Sequence, residues 1–186
     1  MKKFLAAAIL AAALNPAAAH AQGAAPGLYA VGDIILEPAR FPDPKAANSC
    51  GLSNDGIVDA LTKAFAGTQI PVTVAAIARP PQMGVARIDL IPEIYTHVGD
   101  SLNCVSFVSL SAESPANVTI PPVATPRGIT ALYWQQSTMV ASDQTNHAQT
   151  VNDVLQKMAA QFTQEYRVAQ PPVLPTVAPS IPAIAK

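Results

Sequence analysis

The chain reads as an α+β domain: one antiparallel sheet of three to five strands, packed on one face by two helices and tied by one disulfide. Three observations predict this. Residues 85–110, VARIDLIPEIYTHVGDSLNCVSFVSL, hold two β-patterned stretches joined by Val98-Gly99-Asp100-Ser101. One stretch before them and one after carry apolar residues at helical spacing. Two cysteines, Cys50 and Cys104, lie in a chain that opens with an export signal.

The signal comes first in order. Lys2 and Lys3 give a positive start, and Phe4 to Leu14 is an unbroken apolar run. The run is too short to span a bilayer, which needs about 20 residues. Asn15 and Pro16 break it, and Ala19-His20-Ala21 supplies small residues for a signal peptidase. Residues 1–21 are therefore expected to be a cleaved Sec-type signal peptide, with cleavage after Ala21. No cysteine stands immediately after that point, so the mature chain is not expected to be a lipoprotein. No later run reaches transmembrane length, which places the protein in the periplasm or outside a bacterial cell.

Residues 22–49 read as an extended and loop segment. Leu28 to Leu36 is strand-like, with Gly32-Asp33 as a weak point. Pro38, Pro42 and Pro44 then predict loop from Glu37 to Asn48 and no helix there. The domain proper spans 50–170. Ser53 or Asn54 is a good N-cap, and Asp55 suits a helix start. Ile57, Val58, Leu61 and Phe65 form one stripe, and Gly67 ends the helix.

Ile70 to Ile77 is a short β-branched strand, with Pro71 at its beginning or on an edge. In the central hairpin, Ala86, Ile88, Leu90 and Ile94 share one face. Arg87, Asp89 and Glu93 share the other and read as a wet face. Pro92 predicts that this strand is a sheet edge, at least locally. On the second strand Leu102, Cys104, Val108 and Leu110 point one way. Val105 and Phe107 point the other, which predicts cover on both faces.

Glu113 to Arg127, with four prolines, reads as a long loop with one extended piece around Val118 to Ile120. Asn117-Val118-Thr119 matches a glycosylation acceptor, a chance match beside a bacterial-type signal. Ile129 to Val140 is the last strand. The second helix starts in Ser142 to Thr145 and runs to about Val168. Its stripe is Val151, Val154, Leu155, Met158, Phe162 and Tyr166. Residues 171–186, with five prolines in sixteen, read as a disordered tail. The order helix, strands, helix leaves two apolar stripes that the apolar sheet face is available to cover.

Two cysteines in an exported chain predict an internal Cys50–Cys104 disulfide. The mature chain carries nine basic and twelve acidic residues, a net charge of −3. That charge offers no face for nucleic acid or for anionic lipid, so neither is expected as a partner.

Candidate chemistry is sparse. Of the mature histidines, His97 sits at the hairpin end near Tyr95 and Asp100, and His147 near the second helix start. Both are expected in surface or capping roles. Neither has a histidine or cysteine at i+3 or i+4, and no phosphate-binding glycine loop is present. Catalytic residues, metal and cofactor are all expected to be none. Tyr133 and Trp134 are adjacent on a strand, which would put one ring in the core and the other exposed or beneath a loop; core packing of both is nonetheless the expectation, because Trp is usually largely buried. With Tyr95 and His97 they are the candidate partner contacts.

These features predict a non-catalytic envelope accessory or protein-interaction module, with another envelope protein as its partner. The alternative is a periplasmic carrier of a small apolar ligand or lipid, held between helices and sheet. An enzyme with a site at Tyr95, His97 and Asp100 is the weakest of the three.

Overall fold

A computed structural model of the chain describes residue 28 and residues 31–75, 87–99, 103–119 and 125–170. The expected signal peptide, the proline-rich tail and Asp100 lie outside the described residues.

The elements run β1 (Asp33–Leu36), α1 (Pro44–Ser49), α2 (Asn54–Phe65), β2 (Val72–Val74), β3 (Arg87–Val98), β4 (Asn103–Val118), β5 (Arg127–Asp143) and α3 (His147–Ala169). The five strands form one sheet in the order β2-β1-β3-β4-β5. The α+β class holds, with one disulfide and, among the described residues, three helices rather than two. The sheet is mixed, which corrects the antiparallel expectation. β1 runs parallel to both β2 and β3, and only β3-β4-β5 is antiparallel. The connection from β1 to β2 carries α1 and α2, and a helical crossover of that kind returns the chain in its original direction.

Helix α1 lies where three prolines predicted loop. Pro44 is at its first turn, where a missing N–H costs nothing, and the Asp43 side chain caps it by accepting from the Ala46 amide at 2.9 Å. Ser53 caps α2 through the Gly56 amide, 3.2 Å from its Oγ. Gly51 (φ 72°) and Gly67 (φ 76°) follow the two helices in the left-handed conformation that closes a helix C-terminus. In α3, Val151, Leu155, Met158, Phe162 and Tyr166 are buried, as their spacing predicts.

Two prolines lie within paired strands. β3 is central, not an edge, despite Pro92. Leu90 O accepts from Glu37 N (3.0 Å), Pro92 O from Arg40 N (2.9 Å), and Ile94 N donates to Arg40 O (3.0 Å). The even residues of β3 therefore turn their backbone toward β1. Pro92 N faces residues 37–40, between the end of β1 and the single bridge at Arg40, where no ladder bond is lost. Likewise β4 does not stop at Glu113 but continues through Pro115 to Val118, paired with β5. The odd residues of β4 turn toward β3, and pairing with β3 ends at Glu113. Pro115 thus falls just past the last β3–β4 pair, where its missing N–H interrupts no ladder bond.

The core lies between the sheet and the helices. Ile34, Leu36, Ile88, Leu90, Ile94, Val108, Leu110, Trp134 and Val140 face Ile57, Leu61, Phe65 and the α3 stripe. Phe162 is its aromatic hub, with ring centroids 5.2 Å from Trp134, 6.2 Å from Phe65 and 6.1 Å from Tyr166. The Tyr166 hydroxyl donates to Val31 O at 2.6 Å, tying the end of α3 to the chain before β1.

Candidate functional site

The sheet face away from the helices carries the exposed aromatic side chains. Register places Tyr95, Phe107 and Met139 in one row across β3, β4 and β5. They are 48%, 39% and 65% exposed. The Tyr95 and Phe107 rings are 6.4 Å apart. The next row is His97, Val105 and Ala141, and the other flank is Glu93, Ser109 and Ser137. The Tyr95 hydroxyl donates to Glu93 Oε1 at 3.1 Å, and this bond holds the phenol protonated above its usual range. Phe107 was expected under cover and is not.

The structure brings Tyr95 and His97 together on this face and separates them from the other two candidates. Trp134 is 7% exposed and packs against Phe162 on the helix side. Tyr133 is the extra residue of a β-bulge. Ala112 pairs with Trp134 and Glu113 with Leu132, which leaves Tyr133 unopposed and partly buried. Phe107 and Met139 were not singled out from sequence. Each is an ordinary alternating strand residue until three-strand register aligns it with Tyr95.

At the other end of the same face, Arg87 and Asp89 are not wet, as their alternation predicted. Arg87 Nε donates to Asp89 Oδ1 at 2.8 Å, and both side chains are nearly buried. Glu37 lies 3.8 Å from the same guanidinium. The face is thus covered near β1, where Ile35 and Ile91 are buried beside this pair, and open around Tyr95, Phe107 and Met139.

A second group lies inside. His147 is fully buried, contrary to the surface or capping role expected of it. Its Nε2 is 2.8 Å from Ser106 Oγ and its Nδ1 is 2.9 Å from Ser142 Oγ; Ser106 also bonds Thr96 at 2.9 Å. Hydroxyls both donate and accept, so they satisfy a neutral imidazole in either tautomer. The pairing of Ser106 with a histidine has the elements of a nucleophile and base, but both are sealed in the core. What the group does is fasten the start of α3 to β4 and β5.

Burial lowers the His147 pKa from its usual value, because the cation loses its water. The fold then favours the neutral ring. The unfolded chain takes up the proton first as pH falls, near about 6.5. Stability contributed by neutral His147 is therefore full above that pH and declines below it, toward the lower folded pKa. An NMR titration of the His147 ring is expected to give a midpoint below the unfolded value. His147→Asn is expected to flatten the stability loss between neutral and mildly acidic pH. A midpoint at or above the unfolded value would contradict the desolvation argument.

Among the described residues, no three His, Cys, Asp or Glu side chains converge as a metal ion would require. No described helix is long and apolar enough to cross a membrane.

No protein-family model matches the chain, and no curated protein does. Among solved structures, a 2.35 Å crystal structure of a minor lipoprotein from Acinetobacter baumannii is similar over 74% of this chain and 94% of that one. Identity is 11% and the TM-score 0.29, a likeness too low to carry chemistry or partners across.

Proposed function

We propose that the protein is an exported, non-catalytic interaction module of the bacterial envelope, and that a protein partner docks on the open face around Tyr95, Phe107 and Met139. The exposed row of two aromatic rings and a methionine carries this reading. Aromatic residues and Met are enriched where proteins meet, and scattered single apolar residues, not aligned rows, are the ordinary surface state. His97 and Glu93 flank the row as its polar rim. The export signal and the disulfide support the envelope as the compartment. A ligand carrier would have to open the space between helices and sheet, which Leu61, Ile94, Val108, Leu110, Leu155 and Phe162 fill.

The test is a photo-crosslinking amino acid placed at Phe107 and, as a control, at exposed Lys157 on α3. In the native envelope, the Phe107 position is expected to give one discrete protein adduct and Lys157 none. Phe107→Ala is expected to weaken that partner's binding by about tenfold or more, as truncation of a buried aromatic anchor does. Equal labelling from both positions would remove the assignment of the face.

A further inference from the structure

We infer that β5 is a strand-addition edge and that its occupant is β5 of a second copy of this chain. This surface is the backbone edge of the sheet; it shares Met139 with the open face proposed above for a partner, and Ser137→Pro below tests the edge alone.

The inference starts from backbone direction. Even residues of β3 turn toward β1, so their odd neighbours turn toward β4. The odd residues of β4 answer them, and its even residues turn to β5. Cys104, Ser106, Val108, Leu110 and Ala112 pair with Ser142, Val140, Thr138, Gln136 and Trp134. That leaves Gln135, Ser137, Met139 and Ala141 with N–H and C=O pointing off the sheet. β5 is the last strand in the order, and all four residues are exposed.

Natural edges are blunted by charge, proline, bulge or shortness. β5 is 17 residues long, and from Gly128 to Ser142 it has no charged residue and no proline. Its one device is the bulge at Tyr133, which leaves Trp134 to Ser142 as a regular edge roughly 30 Å long.

Symmetry selects the occupant. In an antiparallel self-pair centred on Thr138, Gln135 meets Ala141 and Ser137 meets Met139 of the other copy. Every outward residue then faces an outward residue, so both ladders close and no like charges oppose. The two exposed Met139 side chains become diagonal neighbours on the open face, joining the two apolar rows. The chain's own C-terminal residues suit the edge badly, since five prolines in sixteen interrupt any ladder of donors.

The test is sedimentation velocity of the oxidised mature chain over a wide concentration range, with Ser137→Pro and Met139→Lys. Pro at 137 removes an N–H that the monomer does not use, so the variant is expected to fold with an unchanged melting curve. Wild type is expected to form a dimer. Ser137→Pro is expected to raise its Kd by about tenfold or more, since the two-fold axis removes two hydrogen bonds at once. Thr138→Cys is expected to crosslink to itself under mild oxidant, because a non-hydrogen-bonded pair sits about 4.5 Å apart at Cα. A wild-type chain that stays monomeric throughout would overturn the proposal. So would a dimer that Ser137→Pro and Met139→Lys both leave intact.

Discussion

Leu155→Asp is expected to abolish the folded state at room temperature, while Gln156→Asp leaves a cooperative melting transition near that of the unaltered protein. Leu155 is fully buried, at the middle of the α3 stripe, in the cluster that joins the helices to the sheet. Removing its side chain alone costs about 2–5 kcal/mol, through lost apolar burial and the cavity left behind. A carboxyl group in that position adds a further cost of several kcal/mol, whether it stays charged without a partner or is driven to protonate. Stability of a domain this size is about 5–15 kcal/mol in all, so the two costs together exhaust most of it. Gln156 is one residue on and partly exposed, so a carboxylate there keeps its water. Far-UV circular dichroism and thermal melts of both variants decide the matter. Equal melting of the two would mean that α3 does not dock by this stripe.

That stripe was legible because its information is local. Six apolar residues at i, i+3, i+4 and i+7 state which side of a helix meets the core, wherever the core is. The caps of α2 were legible for the same reason. What failed to show was non-local or depended on proline context. Pro44 reads as a breaker until Asp43 is seen to cap a helix that begins at it. Pro92 and Pro115 read as an edge and a loop because a missing N–H counts against a paired strand wherever the ladder needs that donor. Both nitrogens point where no ladder bond forms, and only pairing direction reveals that. The parallel pairing of β1 with β3 joins residues more than fifty positions apart, and no spacing rule reaches that far.

The candidate site divides the same way. Tyr95 and His97 could be named because an aromatic and a histidine on an alternating strand are visible one at a time. Phe107 and Met139 acquire meaning only beside Tyr95, once register is fixed across three strands. Trp134 is buried and Tyr133 packs, partly buried, against the same core, an arrangement that the bulge permits and plain strand alternation does not predict. His147 looked like a helix-start residue because its hydroxyl partners are supplied by β4 and β5. Ser106 is 41 positions away in the chain.

The disulfide is the feature where a sequence argument and the geometry meet, and its removal is the second large effect. Cys50 and Cys104 are bridged, with Cα atoms 6.0 Å apart. The bridge joins the turn between α1 and α2 to β4, and encloses α2, β2 and β3 in one covalent loop. Chain-entropy accounting gives about 4 kcal/mol for a loop of this length. Both half-cystines are fully buried, so their loss also removes packing. Cys104 pairs with Ser142 on β5 and stands two residues from Ser106, so the bridge also braces the strands that hold His147. The double variant Cys50→Ala/Cys104→Ala is therefore expected to unfold in urea at a midpoint lower by about 1.5–3 M, for a slope typical of a small domain. Its loss of stability is expected to exceed the entropic value, and part of that excess is expected to disappear when His147→Asn is already present, because contacting groups couple. A midpoint equal to that of the oxidised protein would make the bridge an ornament of the fold. A loss confined to the entropic value, with no coupling to His147, would make it a tether only, and would leave the α3 anchor to stand on its hydroxyls alone.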